Sequence, residues 1–295
     1  MRLDSTLNSS NAHEIESFSK WILDVGDGKI SEPNDGYVEI TIPPKFLLTN
    51  FMDPIEKIVT STYPNLLENF TNPDFLQSRA IIASTIKIVD EMNDYITNIL
   101  PGDEKEFLSS DTIDRSEANR NEAFEHLTPE FLSCLKTSSF PNHFLKLKIG
   151  TTIMLIRNLD QLEGLCNGTR LTVTRLANNV IETKMISGTH IGNTIYIPIM
   201  SLYTSQSHWP FKLIRRQFSI IVSFAMTINK SQGQSLDYVD LYFPTDVFSH
   251  RQLYVVMSRV KSKAGLKILI HDKKDKLPLH ETINMVFKEF FHNVV

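Results

Sequence analysis

"FAMTINKSQGQSLDYVDLYF", Phe224 to Phe243, is the stretch on which the fold turns. It sets Lys-Ser directly before Gln-Gly between two apolar runs that read as strands. These are residue types of a phosphate loop. Such a loop needs Gly-x4-Gly-Lys-Ser/Thr between a strand and a helix, so that successive backbone N–H groups wrap the phosphates. Lys230-Ser231 follows Asn229, and no glycine occurs from Phe224 to Asn229. The chain's one Gly-Lys pair, Gly28-Lys29, runs into Ile30. Nor does an Asp-Glu pair close an apolar strand; the nearest, Asp90-Glu91, lies within an amphipathic helical pattern. The stretch is therefore not the main cradle of a nucleotide. It is a strand ending at Thr227, followed by Asn, Lys, Ser, Gln and Gly in one short turn. Hydroxyl, ammonium and amide groups exposed together suit a phosphate backbone. They equally suit a solvent-facing loop closed by Gly233.

Downstream, "QLYVVMSRVKSKAGLKI" (Gln252–Ile268) predicts a helix carrying Gln252, Tyr254, Ser258 and Arg259, with Leu253, Val256 and Met257 alongside. An arginine at such a helix end is ordinarily a surface ion-pair residue; the alternative is an anion ligand. Upstream, "SRAIIAS" (Ser78–Ser84) reads as a buried strand. "TIKIVDEMNDYITNIL" (Thr85–Leu100) then repeats Ile86, Val89, Met92, Ile96 and Ile99 on one helical face before Pro101-Gly102. A strand, a Ser84-Thr85 cap and a helix make a β-α unit of a parallel sheet. "DGYVEITIPP" predicts a strand over Tyr37–Ile42, and "DPIEKIVTSTYP" a helix ending before Pro64. The polar residues 3–20 read as loop into a short helix, and 101–121 as a surface loop or hairpin. Between His126 and Thr204, short strands with turn residues between them read as a small β-barrel. "QFSIIVSFA" (Gln217–Ala225) reads as one strand marking the return of α/β character. The expected division is 1–125, an insert over 126–210, and 211–295.

At 41% hydrophobic and 22% charged residues, the 295-residue chain has an ordinary globular composition. No apolar run approaches the roughly 20 residues that span a bilayer. "MRLDSTLNSSNAHEIE" has no apolar core of a secretory signal. Cys134 and Cys166 lack metal-site spacing and read as reduced thiols of an intracellular protein. The net charge of −4 divides unevenly. Residues 1–130 hold 24 acidic against 10 basic residues, and 131–295 hold 10 against 20. That asymmetry points to an acidic partner for the C-terminal part, or to a basic surface facing the acidic half.

The two C-terminal stretches resemble motifs V and VI of superfamily-one helicases. They are most similar to the Pif-one family of DNA helicases in its Helitron-like form. The resemblance rests on "AMTINKSQGQSL" (Ala225–Leu236) and "FSHRQLYVVMSRV" (Phe248–Val260). It extends to "GLCNGTRL" (Gly164–Leu171), "WPFKLIRRQF" (Trp209–Phe218) and "SEPNDGYVEI" (Ser31–Ile40). It implies an α/β fold: a RecA-like parallel-sheet domain, second of two, carrying a small inserted SH3-like β-barrel. The first RecA-like domain, with Walker A and Walker B, would lie outside these residues and bind most of the ATP and Mg²⁺.

By the same resemblance, Arg259 matches the motif VI arginine that reaches the γ-phosphate, and Arg2, in "MRL", matches the motif IV arginine. Gln252, Gln232 and Gly233 match positions that couple nucleotide state to DNA. Thr227, Lys230 and Ser231 match positions near the DNA backbone, and Ser84-Thr85 a DNA-facing turn. Arg251 stands where the family carries glycine. The implied whole is a monomeric, ATP-dependent, 5′-to-3′ DNA helicase, nuclear or mitochondrial, acting on single-stranded DNA and junctions in repair, recombination or telomere maintenance. No membrane partner is expected. A non-catalytic single-stranded-DNA-binding protein derived from such a helicase is the alternative, and a plain interaction module the third reading.

Overall fold

The computed structural model describes residues 9–31, 36–114, 124, 126–136, 140–188, 190–204, 209–244, 249–272, 274 and 277–287. The chain opens with helix α1 (Ser9–Gly26), longer than the short helix expected from its polar start. Phe18, Ile22 and Val25 explain the extra length, because their helical spacing lines up one buried face. Strand β1 (Tyr37–Thr41) follows. Helix α2 (Pro54–Thr62) starts where the Asp53 side chain accepts the Ile55 N–H and Pro54 takes the first helical position. Two short helices, α3 (Leu66–Asn69) and α4 (Pro73–Gln77), lead into strand β2 (Arg79–Ala83). Helix α5 (Ile86–Ile99) begins where the Thr85 hydroxyl accepts the Ile88 N–H. Its Val89, Met92 and Ile96 are buried as the periodicity predicts, while Ile86 and Ile99 at its ends are exposed.

Next come β3 (Lys105–Leu108), β4 (Ser110–Ile113), helix α6 (Pro129–Cys134), β5 (Phe144–Leu147) and β6 (Thr152–Leu155). Then follow β7 (Arg170–Leu176), β8 (Val180–Met185), β9 (Thr194–Tyr203), β10 (Leu213–Phe218) and β11 (Ile220–Val222). The chain closes through β12 (Ala225–Thr227), β13 (Tyr238–Phe243), helix α7 (Gln252–Met257), β14 (Leu266–Ile270) and β15 (Glu281–Met285).

The chain forms two compact units. The first takes residues 1–69, 78–96 and 224–295, and the second takes 70–77 and 97–223. In the first, a four-stranded parallel sheet has the order β12-β2-β13-β14. Its strands are apolar on both faces, as parallel strands with helical cover must be. β1 and β15 form a separate antiparallel pair. The fold class is mixed α/β with a parallel sheet.

In the second unit the order is β11-β6-β7-β8-β9-β10-β4, antiparallel throughout. β10 and β11 are one stretch broken only at Ser219, so the ladder from β6 through β9 returns on itself through them. Leu155, Leu171, Val173, Ile181, Ile197, Phe218 and Ile220 fill the enclosed core.

The expected boundaries at 126 and 210 fall inside this unit rather than at its edges. β3 pairs with β5 and β4 with β10, which draws the polar stretch after Pro101 into the insert. A buried ion pair fixes that attachment. Arg215 on β10 gives Nε and an Nη to both carboxylate oxygens of Asp111 on β4, at 2.8 and 3.0 Å. Its remaining N–H groups go to the carbonyls of Leu132, Leu135 and Pro141. "QFSIIVSFA" is correspondingly not one strand. It is the end of β10, all of β11 and the start of β12, and only the last belongs to the parallel sheet.

Candidate nucleotide- and strand-facing site

The parallel sheet brings two polar turns side by side. Thr227, the last residue of β12, is in register with Ala83, the last residue of β2. The chain leaves β2 through Ser84-Thr85 and leaves β12 through Ile228 and a 3-10 turn, Asn229–Ser231. Both exits therefore open at the same end of neighbouring strands. Thr85 and Thr227 are partly exposed, whereas Ser84 is buried.

Lys230 is half-buried, and among the described residues its ammonium has no hydrogen bond or ion pair. Burial alone pushes its pKa down. Ser231, expected against a nucleic-acid strand, is fully buried and its hydroxyl donates to the Ile228 carbonyl at 2.7 Å. It closes the turn from inside, a correction to its expected place. Gln232 and Gly233 are exposed. Gly233 has φ +81, with open space around it, so the turn uses the left-handed region that glycine occupies without strain.

The outer edge of β12 carries a contact that sequence patterning missed. The Asn93 side chain, on α5, donates to the Ala225 carbonyl at 3.0 Å and accepts the Ala225 N–H at 2.8 Å. An asparagine inside an amphipathic helix carries no sequence signal for this role, because its partner lies 132 residues away.

From Gly233 the chain runs back along the sheet to Leu236, just before β13. There the Leu236 N–H donates to the Arg259 carbonyl at 3.0 Å, and the Lys261 N–H donates to the Leu236 carbonyl at 2.9 Å. The predicted helix stops at Met257, so Arg259 sits in the turn just beyond it. Its guanidinium is partly buried. It donates to the Val255 carbonyl at 2.8 Å and the Ser258 hydroxyl at 2.7 Å. No carboxylate pairs with it among the described residues, and burial lowers its pKa. The surface ion-pair reading of this arginine finds no acid among the described residues. Gln252, the first residue of α7, is buried. Arg2 lies outside the described residues.

Residues 130–176 match the family model described as "DNA helicase Pif1, 2B domain". The chain is 32% identical over 147 residues to the ATP-dependent DNA helicase PIF1 of Homo sapiens, covering 49% of this chain and 22% of that protein. It is 30% identical over 139 residues to the Pif1 helicase of Bdellovibrio bacteriovorus, 47% of this chain and 30% of that one. The crystal structure of Pif1 helicase from Candida albicans superposes with a TM-score of 0.56 at 20% identity, over 95% of this chain and 57% of that one. This chain is similar to the Pif1 helicases over about half its length. It spans well under two thirds of the length of each of these three.

The matched 2B segment runs from α6 into β7, inside the second unit. All the candidate residues from Ser84 to Arg259 lie in the first. The position where the sequence resemblance expects glycine also becomes intelligible. Arg251 has φ 58 and ψ 13, a left-handed conformation, and its N–H donates to the Met285 carbonyl at 2.8 Å. Glycine adopts that backbone without a Cβ penalty; arginine holds it under strain, with Asp27 3.4 Å from its guanidinium.

Proposed function

We propose that this chain is the second RecA-like half of an ATP-dependent, 5′-to-3′ DNA helicase, and that its second unit is the inserted SH3-like barrel of that family. The single observation that carries this reading is the segment Thr227–Leu236. It begins beside the Ser84-Thr85 turn and ends hydrogen-bonded to the backbone of Arg259. One length of chain thus joins a surface suited to a DNA backbone to an arginine suited to a phosphate.

In this reading Thr85, Thr227 and Lys230 hold the phosphates of a single strand. Lys230 is partly desolvated, and among the described residues no acid pairs with it. Arg259, with Arg2, faces the γ-phosphate, and its planar fork of donors suits phosphate oxygens. Among the described residues no carboxylate pairs with Arg259, as suits a residue that meets an anion from outside the chain. Gln252, Gln232 and Gly233 line the route between the two. ATP with Mg²⁺, held mainly by the first RecA-like domain of the same helicase, supplies the phosphoryl-transfer chemistry. Ser231 keeps the turn in shape and touches neither partner.

The test is binding of labelled oligo-dT by the 295-residue chain, read by fluorescence anisotropy across a salt series. Affinity should fall with salt by about 0.7 log units per log unit of salt for each phosphate neutralised. Lys230→Ala should weaken binding and shallow that slope by about one phosphate's worth. No binding at low salt, or an unchanged slope, overturns the assignment of this edge to DNA.

A further inference from the structure

β12 is the outermost strand of the parallel sheet, and three residues long. One side is satisfied by β2, including the Ile81 N–H donated to the Phe224 carbonyl at 3.2 Å. On the other side Ala225 presents an N–H and a C=O with no strand beside them among the described residues. Asn93 meets both with one carboxamide and is 5% exposed. A carboxamide carries one donor group and one acceptor in the same plane, as a peptide does. A carboxylate could accept the Ala225 N–H but would set a second acceptor against the Ala225 carbonyl. Asparagine is therefore specified chemically at this position.

The two bonded elements are those that carry the two polar turns. Asn93 lies seven residues into α5 from Ile86, roughly 10 Å along the helix from the Ser84-Thr85 turn. Ala225 lies two residues before Thr227, roughly 7 Å along the strand from the Lys230 turn. We propose that Asn93 is a positioning residue: meeting the outer edge of β12 with a donor and an acceptor as a neighbouring strand would, it sets the spacing between the Ser84-Thr85 turn and the Thr227–Gly233 turn, so that both meet one DNA backbone. This rests on the reading of that edge as the DNA-facing one.

The experiment has one part that does not involve DNA. Spin labels at Lys87→Cys and Gln232→Cys, in a background of Cys134→Ser and Cys166→Ser, report the spacing by pulsed electron resonance. Both labelled positions are exposed. The parent should give one narrow distance distribution. Asn93→Asp and Asn93→Ala should broaden it and weaken oligo-dT binding about tenfold. Val59→Ala on α2, a core truncation distant in sequence from both turns, should lower stability while leaving spacing and affinity unchanged. An unbroadened distribution with affinity within twofold of the parent refutes the proposal. If the parent fails to bind DNA but Asn93→Asp still broadens the distribution, the DNA assignment of the edge falls and the spacing role stands. Should both Asn93 variants unfold, hydrogen exchange at the Ala225 amide of the parent decides. Protection matching that of β2 supports the bond, and exchange as fast as in the Gln232-Gly233 turn refutes it.

Discussion

Replacing Arg259 by alanine separates a phosphate-facing arginine from a merely structural one, because the structure assigns the two roles different magnitudes. Within the fold the guanidinium makes two hydrogen bonds, to the Val255 carbonyl and the Ser258 hydroxyl, and no ion pair among the described residues. Each bond contributes about 1 kcal/mol net. The partial desolvation that lowers its pKa works in the other direction. Arg259→Ala should therefore change the unfolding free energy by no more than about 1 kcal/mol. In transition-state stabilisation the loss should be far larger. An arginine meeting the charge that develops in phosphoryl transfer contributes roughly 10³–10⁵ in turnover, or about 4–7 kcal/mol at 1.36 kcal/mol per tenfold.

The assay is single-stranded-DNA-stimulated phosphate release by the chain fused behind a first RecA-like domain bearing Walker A. Urea unfolding and nucleotide affinity are measured on the same samples. Nucleotide affinity should fall much less than turnover, because the phosphate cradle belongs to the other domain. Arg259→Lys keeps the charge but loses the planar fork, and should recover little. Turnover within about fivefold of the parent, an effect of about 1 kcal/mol, would refute the role and with it the assignment of the Gln252–Arg259 motif.

Three further outcomes concern the fold itself. Asp240, on β13, is buried with Oδ2 unsatisfied, and its pKa is raised to about 6 mainly by burial, against the hydroxyls of Ser61 and Thr62. A carboxyl that binds its proton more tightly in the folded state adds stability at low pH and loses it as pH rises from about 4 to about 6. Asp240→Asn should therefore be more stable than the parent at pH 7, by up to about 3 kcal/mol. Urea midpoints that differ equally at pH 4 and pH 7 would contradict this.

Arg215→Ala should cost up to about 3–5 kcal/mol, because it takes the guanidinium from the buried Asp111 carboxylate and leaves it with the Ser109 hydroxyl and His143. Arg215→Met with Asp111→Leu should recover most of that loss in the same unfolding measurement. Gly265→Ala should cost at least about 1–3 kcal/mol, since a Cβ there strikes the Asp237 backbone carbonyl, whose residue is held by its N–H to the Ser78 carbonyl. A melting temperature unchanged by that substitution would mean the two segments lie further apart than described.

Local sequence determined every part of this protein whose cause is local. The α5 face follows from 3.6-residue spacing, its start from Thr85 and its stop from Pro101-Gly102. The strand and turn of Ala225–Gly233 follow from an apolar run meeting Asn, Lys, Ser, Gln and Gly, and the motif strings carried the resemblance to the Pif1 helicases. Tertiary structure decided the rest. β3 and β4 lie in polar text because their partners, β5 and β10, supply the burial from about 40 and 100 residues further along the chain. The apolar run Gln217–Ala225 holds no mark of where one sheet ends and the other begins, because strands packed on both faces lose their alternation. Ser231 reads as a surface hydroxyl until the turn folds over it. Arg251 reads as a charge until its backbone proves left-handed. Asn93 reads as a helix-surface amide until β12 arrives with one N–H and one C=O that its carboxamide meets together.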